Sequence, residues 1–132
     1  GAERALAEVL RSPRWSPDGK QVAGVDDDGQ LAVCEAAGGP CRSLGPGRSP
    51  AQWSPDGRRL RFRRPGPGLD DPDLRTDEVW EVALDGSPAR HLATLSPVLR
   101  LSAGFDVSSD DRLAWIQHRP GRQELWLATL AR

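Results

Sequence analysis

The chain has 132 residues, and its 18 basic and 19 acidic side chains leave a formal net charge of -1. This balance gives no electrostatic reason to expect nucleic acid or an anionic membrane surface as a partner, and no apolar run approaches the roughly 20 residues of a membrane-spanning helix. The 14 Gly and 12 Pro residues are too many for a helical bundle and favour a turn-rich, all-β fold in a single domain.

A short turn motif recurs along the chain. Residues 14–20 read RWSPDGK and residues 52–58 read QWSPDGR. A worn third copy, FDVSSDDR, spans residues 105–112, where Ser109 and Asp110 stand in place of Pro and Asp and no Gly follows. Pro fixes φ at about -65° at the first corner, Asp tolerates the second, and Gly accepts the left-handed conformation that returns the chain. The motif therefore predicts a hairpin turn.

Short apolar strands flank these turns and divide the chain into three units. The predicted strands are residues 21–25, 30–35 and 41–44 in the first unit, 59–63, 78–83 and 89–93 in the second, and 112–117 and 124–129 in the third. Together with the strand that precedes each turn, a complete unit has four short antiparallel strands, which is typical of a β-propeller blade. We therefore place blade 1 at about residues 12–44, blade 2 at about 50–93 and blade 3 at about 102–130 of one domain, 1–132.

All seven aromatic residues fall into three columns of this repeat. The first column is Trp15, Trp53 and Phe105. The other two begin with a small residue in the first unit and are Gly24, Phe62 and Trp115, and Ala32, Trp80 and Trp126. We expect these side chains to pack between neighbouring blades rather than to stack on a ligand, because interblade cores need large side chains.

The sequence WSPDG followed by a strand, and a later strand ending in Asp85-Gly86, resembles the TolB-type propeller repeat, a relative of the WD repeat. The resemblance spans nearly the whole chain and is weakest in the third unit. It implies a propeller, often with six blades, that works by binding. Such repeats occur in periplasmic partners of envelope complexes, in sensor portions of signalling proteins, and as the lid of prolyl-oligopeptidase-like enzymes.

Three blades do not close a propeller ring, which needs about four to eight. The third unit ends after its third strand, and residues 3–6 align with the fourth strands of the other units. We therefore expect two chains to associate head-to-tail into six blades, with each N-terminal strand completing the last blade of the other chain. Two alternatives stay open. The chain is a piece of a longer or heteromeric propeller, or residues 1–10 form a short helix.

The cysteines Cys34 and Cys41 lie on the third and fourth predicted strands of blade 1, across a hairpin. Cross-strand neighbours on one face are close enough for a disulfide, and a structural disulfide favours a periplasmic or other extracytoplasmic location in a bacterium. The alternative is two unrelated buried thiols in a reducing compartment.

The loops between second and third strands, together with the connections between blades, lie at one face of a propeller, which we call the loop-rich face. Its predicted segments are residues 45–50, 64–77, 94–102 and 118–123. Function in repeat folds tends to lie where loops vary, so we expect the binding site here. The candidate residues are Arg61, Arg63, Arg64, Asp70, Asp71, Asp73, Arg75, Asp77, His118 and Arg119.

Within this set, two features carry specific expectations. Four Asp residues between positions 70 and 77 offer hard oxygen ligands of the kind that calcium prefers. Their spacing fits no EF-hand, and this mismatch favours a solvated loop with Arg–Asp pairs. Arg61 and Arg63 fall in columns that face a neighbouring blade. There a charge is costly unless it is paired, so we expect either carboxylate partners or an acidic ligand.

The inventory for catalysis is poor. His91 and His118 lie in different blades, no Gly-x-Ser-x-Gly elbow is present, and neither a phosphate-binding glycine loop nor zinc-ligand spacing occurs. We therefore expect a non-enzymatic module, without cofactor or metal, that binds itself and another envelope protein or a peptide. The alternatives are an extracytoplasmic ligand-sensing domain of a regulator and an accessory propeller portion of a hydrolase.

Overall fold

The computed structural model describes residues 10–99 and 105–130. These residues form eleven strands, and none of them belongs to a helix long and apolar enough to cross a membrane. The strands are β1 (Arg11–Trp15), β2 (Gln21–Val25), β3 (Gln30–Glu35), β4 (Arg42–Pro46), β5 (Arg48–Trp53), β6 (Arg59–Gly68), β7 (Leu74–Ala83), β8 (Arg90–Leu99), β9 (Phe105–Val107), β10 (Arg112–Arg119) and β11 (Arg122–Thr129).

The strands form three antiparallel sheets in succession, which we call blades 1, 2 and 3. Blade 1 has the order β1-β2-β3-β4, blade 2 the order β5-β6-β7-β8, and the described part of blade 3 the order β9-β10-β11. The predicted all-β class is confirmed. The first strand of each blade, here called the inner strand, contacts that of the next: Trp53 Nε1 donates to Arg14 O at 3.0 Å.

The repeated turn is held by a serine and an aspartate, one hydrogen-bond network per copy. In blade 2, Ser54 Oγ donates to Asp56 Oδ1 at 2.6 Å and accepts from Arg59 N at 3.0 Å, while Arg58 N donates to Asp56 Oδ1. Gly57 has φ of 70°, the left-handed conformation that the motif predicted. These donors hold the pKa of Asp56 below its usual range, the serine hydroxyl being the largest cause.

The segment 64–77 is not the loop that we expected. β6 runs on to Gly68 and β7 begins at Leu74, so only residues 69–73 form the turn. The prolines of this segment are tolerated because β5 pairs with β6 only as far as Arg63. Beyond that point β6 is an edge strand, where a missing N–H breaks no ladder bond.

The other connections at the loop-rich face are also shorter than expected. Strands β4 and β5 take up most of residues 45–50, β8 continues to Leu99, and β10 and β11 leave only residues 120–121 between them. Backbone pairing extends these strands because the opposing segments keep register, as in the pair of Arg119 with Arg122. Among the described residues, the loop-rich face is therefore formed by the ends of the β2–β3, β6–β7 and β10–β11 hairpins and by the short connection from β4 to β5.

Two apolar clusters fill the spaces between blades. The first, between blades 1 and 2, comprises Ala23, Leu31, Val33, Ala51, Leu60, Phe62 and Val82. The second, between blades 2 and 3, comprises Val79, Leu95, Phe105, Leu113 and Leu130. Gly47 lets the first cluster close, since a Cβ there would lie 2.8 Å from Phe62 Cδ2. The core is thus interblade, as a propeller requires.

Two of the three aromatic columns are confirmed as cross-strand pairs. Phe62 pairs with Trp80 and Trp115 with Trp126, at the same place in each blade. The prediction for Phe105 was wrong, because Val107 is the residue that precedes the turn serine and pairs like Trp53. Phe105 lies two residues earlier, where it is buried in the second cluster.

Cys34 and Cys41 form a disulfide, with Cα atoms 4.3 Å apart. The predicted pairing is confirmed, and it links β3 to the start of the fourth strand of blade 1. The predicted strand at residues 3–6, with its alternative of a short helix, lies outside the described residues.

Candidate functional site

Arg61, the most unusual of the predicted site residues, links blades 2 and 3 through ion pairs. Its side chain is 2% exposed. Nε donates to Glu81 Oε2 at 3.0 Å within blade 2, and Nη2 donates to Asp111 Oδ1 at 2.6 Å in blade 3. Two carboxylates satisfy the buried charge, so Arg61 is not open to a ligand.

Asp111, the partner of Arg61 in blade 3, explains why the third copy of the turn motif lacks its glycine. Asp111 occupies the place of Gly19 and Gly57 and adopts φ of 64°, a conformation that Asp tolerates better than most residues. Ser108 and Asp110 still form the serine–aspartate bond of the other copies. The substitution of Gly by Asp therefore keeps the turn and adds the carboxylate that Arg61 needs.

Arg63, Asp77 and Arg75 form a second buried group, within blade 2. Arg63 Nη1 donates to Asp77 Oδ2 at 3.1 Å, and Arg75 Nε lies 3.0 Å from Asp77 Oδ1. Burial is the largest influence on Arg63 and lowers its pKa, and Asp77 opposes that effect. The predicted pairing of the arginines with carboxylates is found here with Asp77, across β6 and β7.

Arg64 also joins two blades. Its guanidinium carbon lies 4.4 Å from the Trp80 ring centre and 5.2 Å from that of Phe62. Nε donates to Pro46 O of blade 1 at 2.9 Å. A stacked arginine of this kind is held by its ring partners and its acceptor, so Arg64 acts in blade packing.

The remaining acidic residues lie apart from these arginines. Asp70, Asp71 and Asp73 are exposed in the turn 69–73, where Asp71 Oδ1 accepts from Asp73 N at 2.9 Å. Among the described residues, no three His, Cys, Asp or Glu side chains are grouped in a way that could hold a metal ion. His118 and Arg119 lie on β10, and their side chains are outside the described set.

Two hollows open at opposite ends of the inner strands. One, of about 280 Å³, lies at the loop-rich face and is bordered by Arg11, Asp26, Asp27, Arg48 and Arg63.

The other, of about 460 Å³, lies at the turn face, where the repeated serine–aspartate turns are. It is bordered by Arg14, Trp15, Gln52, Trp53 and Asp106, together with Ala51 and Val107. Charged and aromatic side chains from all three blades meet there.

Blade 3 exposes positions that the other blades bury. Leu125 of β11 is 67% exposed, whereas its equivalents Leu31 and Val79 are each 0% exposed. The three residues are equivalent in register. Leu125 pairs with Ile116, Leu31 with Val25 and Val79 with Arg63, and each partner is the fifth residue of the strand before it.

Leu127 is 66% exposed, whereas its equivalent Val33 is 5% exposed. We call this side of blade 3 the open face. It also carries Ile116, and Trp15 is exposed at the other end of the arc.

The sequence analysis did not single out Leu125 and Leu127 of the open face, or Gln52 and Asp106, which border the hollow at the turn face. Aligning the serine of each turn, rather than the aromatic residue, would have put Asp106 in the column of Gln52.

The fold is similar to a solved structure of acylaminoacyl peptidase from Pyrococcus horikoshii, an enzyme with a β-propeller domain. The TM-score is 0.61 at 19% sequence identity, over 89% of this chain and 23% of the peptidase chain. The chain therefore spans about a quarter of that protein, and the likeness concerns the fold alone. No family model matches the sequence, and no curated protein is significantly similar to it.

Proposed function

We propose that the chain is a non-enzymatic propeller module that completes its ring with a second copy and binds a protein or peptide at the loop-rich face. The observation that carries the ring is the exposure of Leu125 and Leu127 at positions whose equivalents in blades 1 and 2 are covered by the next blade. An apolar face of this kind on a sheet is typical of an interaction surface.

The chemistry of the open face favours a blade like those already present. The residues Ala114, Ile116, Leu125 and Leu127 are equivalent to Ala23, Val25, Leu31 and Val33 of blade 1 and are apolar like them. Of these blade 1 residues, Ala23, Leu31 and Val33 pack in the cluster between blades 1 and 2. The corresponding side of blade 2 carries Arg61, Arg63 and Glu81 instead. The open face thus resembles an interblade surface that accepts an apolar neighbour.

Sedimentation equilibrium with matched variants tests the ring. We expect the wild-type chain to approach twice 14.3 kDa, and Leu127→Asp to weaken the dimer by at least about a hundredfold, because it places a charge where apolar burial is needed. Leu69→Asp changes an exposed leucine in the 69–73 turn and is the control that leaves the dimer intact. Equal dimerisation of both variants would contradict the proposal.

For the ligand, the hollow at the loop-rich face supports a peptide with an acidic group. Arg48 borders it and is exposed, and Arg11, among the residues described, forms a surface ion pair with Asp27 at 3.4 Å. A displayed random-peptide library selected on the wild-type chain would yield acidic binders. We expect these binders to be lost with Arg48→Glu and kept with Arg58→Glu, an exposed arginine at the turn face.

The disulfide between Cys34 and Cys41 supports an extracytoplasmic, periplasmic location, because such bonds persist in oxidising compartments.

A second candidate function is favoured by the likeness to acylaminoacyl peptidase. According to this candidate, the chain is the propeller portion of a longer hydrolase, and the next blade of the same polypeptide covers the open face. The sedimentation experiment separates the two, because this candidate predicts a monomer of 14.3 kDa.

A further inference from the structure

The inner strands carry three equivalent residues of different charge. Arg14, Gln52 and Asp106 each lie two residues before the serine of their own turn, and all three border the hollow at the turn face. Along the arc from blade 1 to blade 3, this column is therefore positive, neutral and negative.

Gln52 shows what this position does at a joint between blades. Its Nε2 donates to Phe105 O at 3.0 Å, and its Oε1 accepts from Val107 N at 3.1 Å. One side chain thereby clamps the inner strand of the next blade through two backbone groups, on either side of Asp106.

Asp106 occupies the same position at the last blade. It pairs with Ala114, which pairs with Leu127, so the Asp106 side chain belongs to the open face. The carboxylate is exposed and forms no ion pair with any residue that the structure describes. It is placed to clamp an inner strand that the arc of three blades does not contain.

The inner strand of blade 1 offers matching groups. Pro13 O and Trp15 N are equivalent to the carbonyl and the N–H that Gln52 clamps, and Arg14 Nη1 already donates to Pro13 O at 3.0 Å. Pro13 O therefore already has a donor. The groups that can donate to a second copy are Trp15 N–H and the neighbouring Arg14 guanidinium. A carboxylate, which only accepts, suits that pair better than an amide would.

We infer that Asp106 of one copy closes the ring by accepting hydrogen bonds from Trp15 N and the Arg14 guanidinium of a second copy. This inference rests on the proposed ring and names its closing contact. The two charges lie at opposite ends of one chain, so a head-to-tail pair of copies brings them together twice, once at each joint. A second copy is thus selected by charge as well as by apolar fit.

Charge exchange tests the contact. We expect Asp106→Arg and Arg14→Asp each to weaken the homodimer about a hundredfold, roughly tenfold at each of two joints. When the two variants are mixed, both joints regain an opposite pair, so a mixed dimer forms with part of the lost affinity restored, while the joint that carries Asp106→Arg still lacks the acceptor for Trp15 N. The chain carrying both substitutions recovers as well. Sedimentation of differently labelled chains measures all four, and Asp70→Arg, the same charge change in the exposed 69–73 turn, leaves dimerisation unchanged.

The outcomes separate this inference from the ring itself. If the wild-type chain stays a monomer, the ring is overturned and this contact with it. If the wild-type chain dimerises but either reversal leaves the affinity unchanged, or mixing restores nothing, the Asp106 contact is overturned and the ring stands. Both side chains are exposed, so the variants keep the fold, which their tryptophan fluorescence verifies.

Discussion

The buried arginine between blades 2 and 3 gives the sharpest stability prediction. Arg61→Ala removes the cation that pairs with Glu81 at 3.0 Å and Asp111 at 2.6 Å. Glu81 is then a buried carboxylate, 6% exposed, that keeps longer ion pairs to Arg59 at 3.7 Å and Arg90 at 3.8 Å. Removing one partner of a buried pair costs about 3–5 kcal/mol, so we expect a loss at the lower end of that range.

Urea unfolding followed by tryptophan fluorescence measures this loss, with all chains at the same concentration. Arg11→Ala is the matched control, because its ion pair with Asp27 is exposed on both sides and such pairs contribute at most about 1 kcal/mol. The second variant, Arg61→Ala with Glu81→Val, reproduces the residues Ala23 and Val33 of blade 1. It regains part of the loss, because the buried carboxylate of Glu81 is removed together with its cation, and the Asp111 carboxylate that remains is 29% exposed.

The reasoning would be refuted if Arg61→Ala and Arg11→Ala lost the same small amount. It would also fail if the double variant were less stable than Arg61→Ala, because the cost would then come from lost packing and not from the buried carboxylate of Glu81.

Three further predictions follow from local contacts. Replacing Cys34 and Cys41 by Ser lowers the free energy of unfolding by about 2.5 kcal/mol, as expected for a short closed loop. Thermal unfolding of the oxidised and substituted chains measures this, and equal stability contradicts it. The lowered pKa of Asp56 means that its ionised form stabilises the fold above the unfolded pKa of about 3.9 and that this contribution disappears as the pH falls through the lower folded value. The stability difference between wild type and Asp56→Ala should therefore shrink on acidification, and a constant difference would exclude the linkage. Gly47→Ala brings a Cβ to 2.8 Å from Phe62 and costs about 1–3 kcal/mol, whereas Gly68→Ala, with open space around it, costs nothing measurable.

Much of the architecture was predictable because the turn motif fixes both the hairpins and their spacing. Pro, Asp and Gly at the turn leave few alternatives for the backbone, and the strands on either side then pair in register. The disulfide was predictable for the same reason, since Cys34 and Cys41 face each other across one hairpin. The buried Arg61 and Arg63 were identified as needing partners from their columns alone.

The details that failed depend on contacts distant in sequence. The extension of β6 and β7 through residues 64–68 and 74–77 needs a pairing that proline content conceals. The partner of Arg61 is Asp111, 50 positions away, in a turn that looked degraded because it lacks Gly. The misplacement of Phe105 arose from treating aromatic character as the marker of the column, whereas the turn serine sets it.

The mass of the wild-type chain in solution tests the central claim most directly. Small-angle X-ray scattering over a dilution series, with the disulfide intact, gives both mass and shape. The account predicts a closed, flat particle of twice 14.3 kDa that dissociates only on dilution. A particle of 14.3 kDa at every concentration would contradict it.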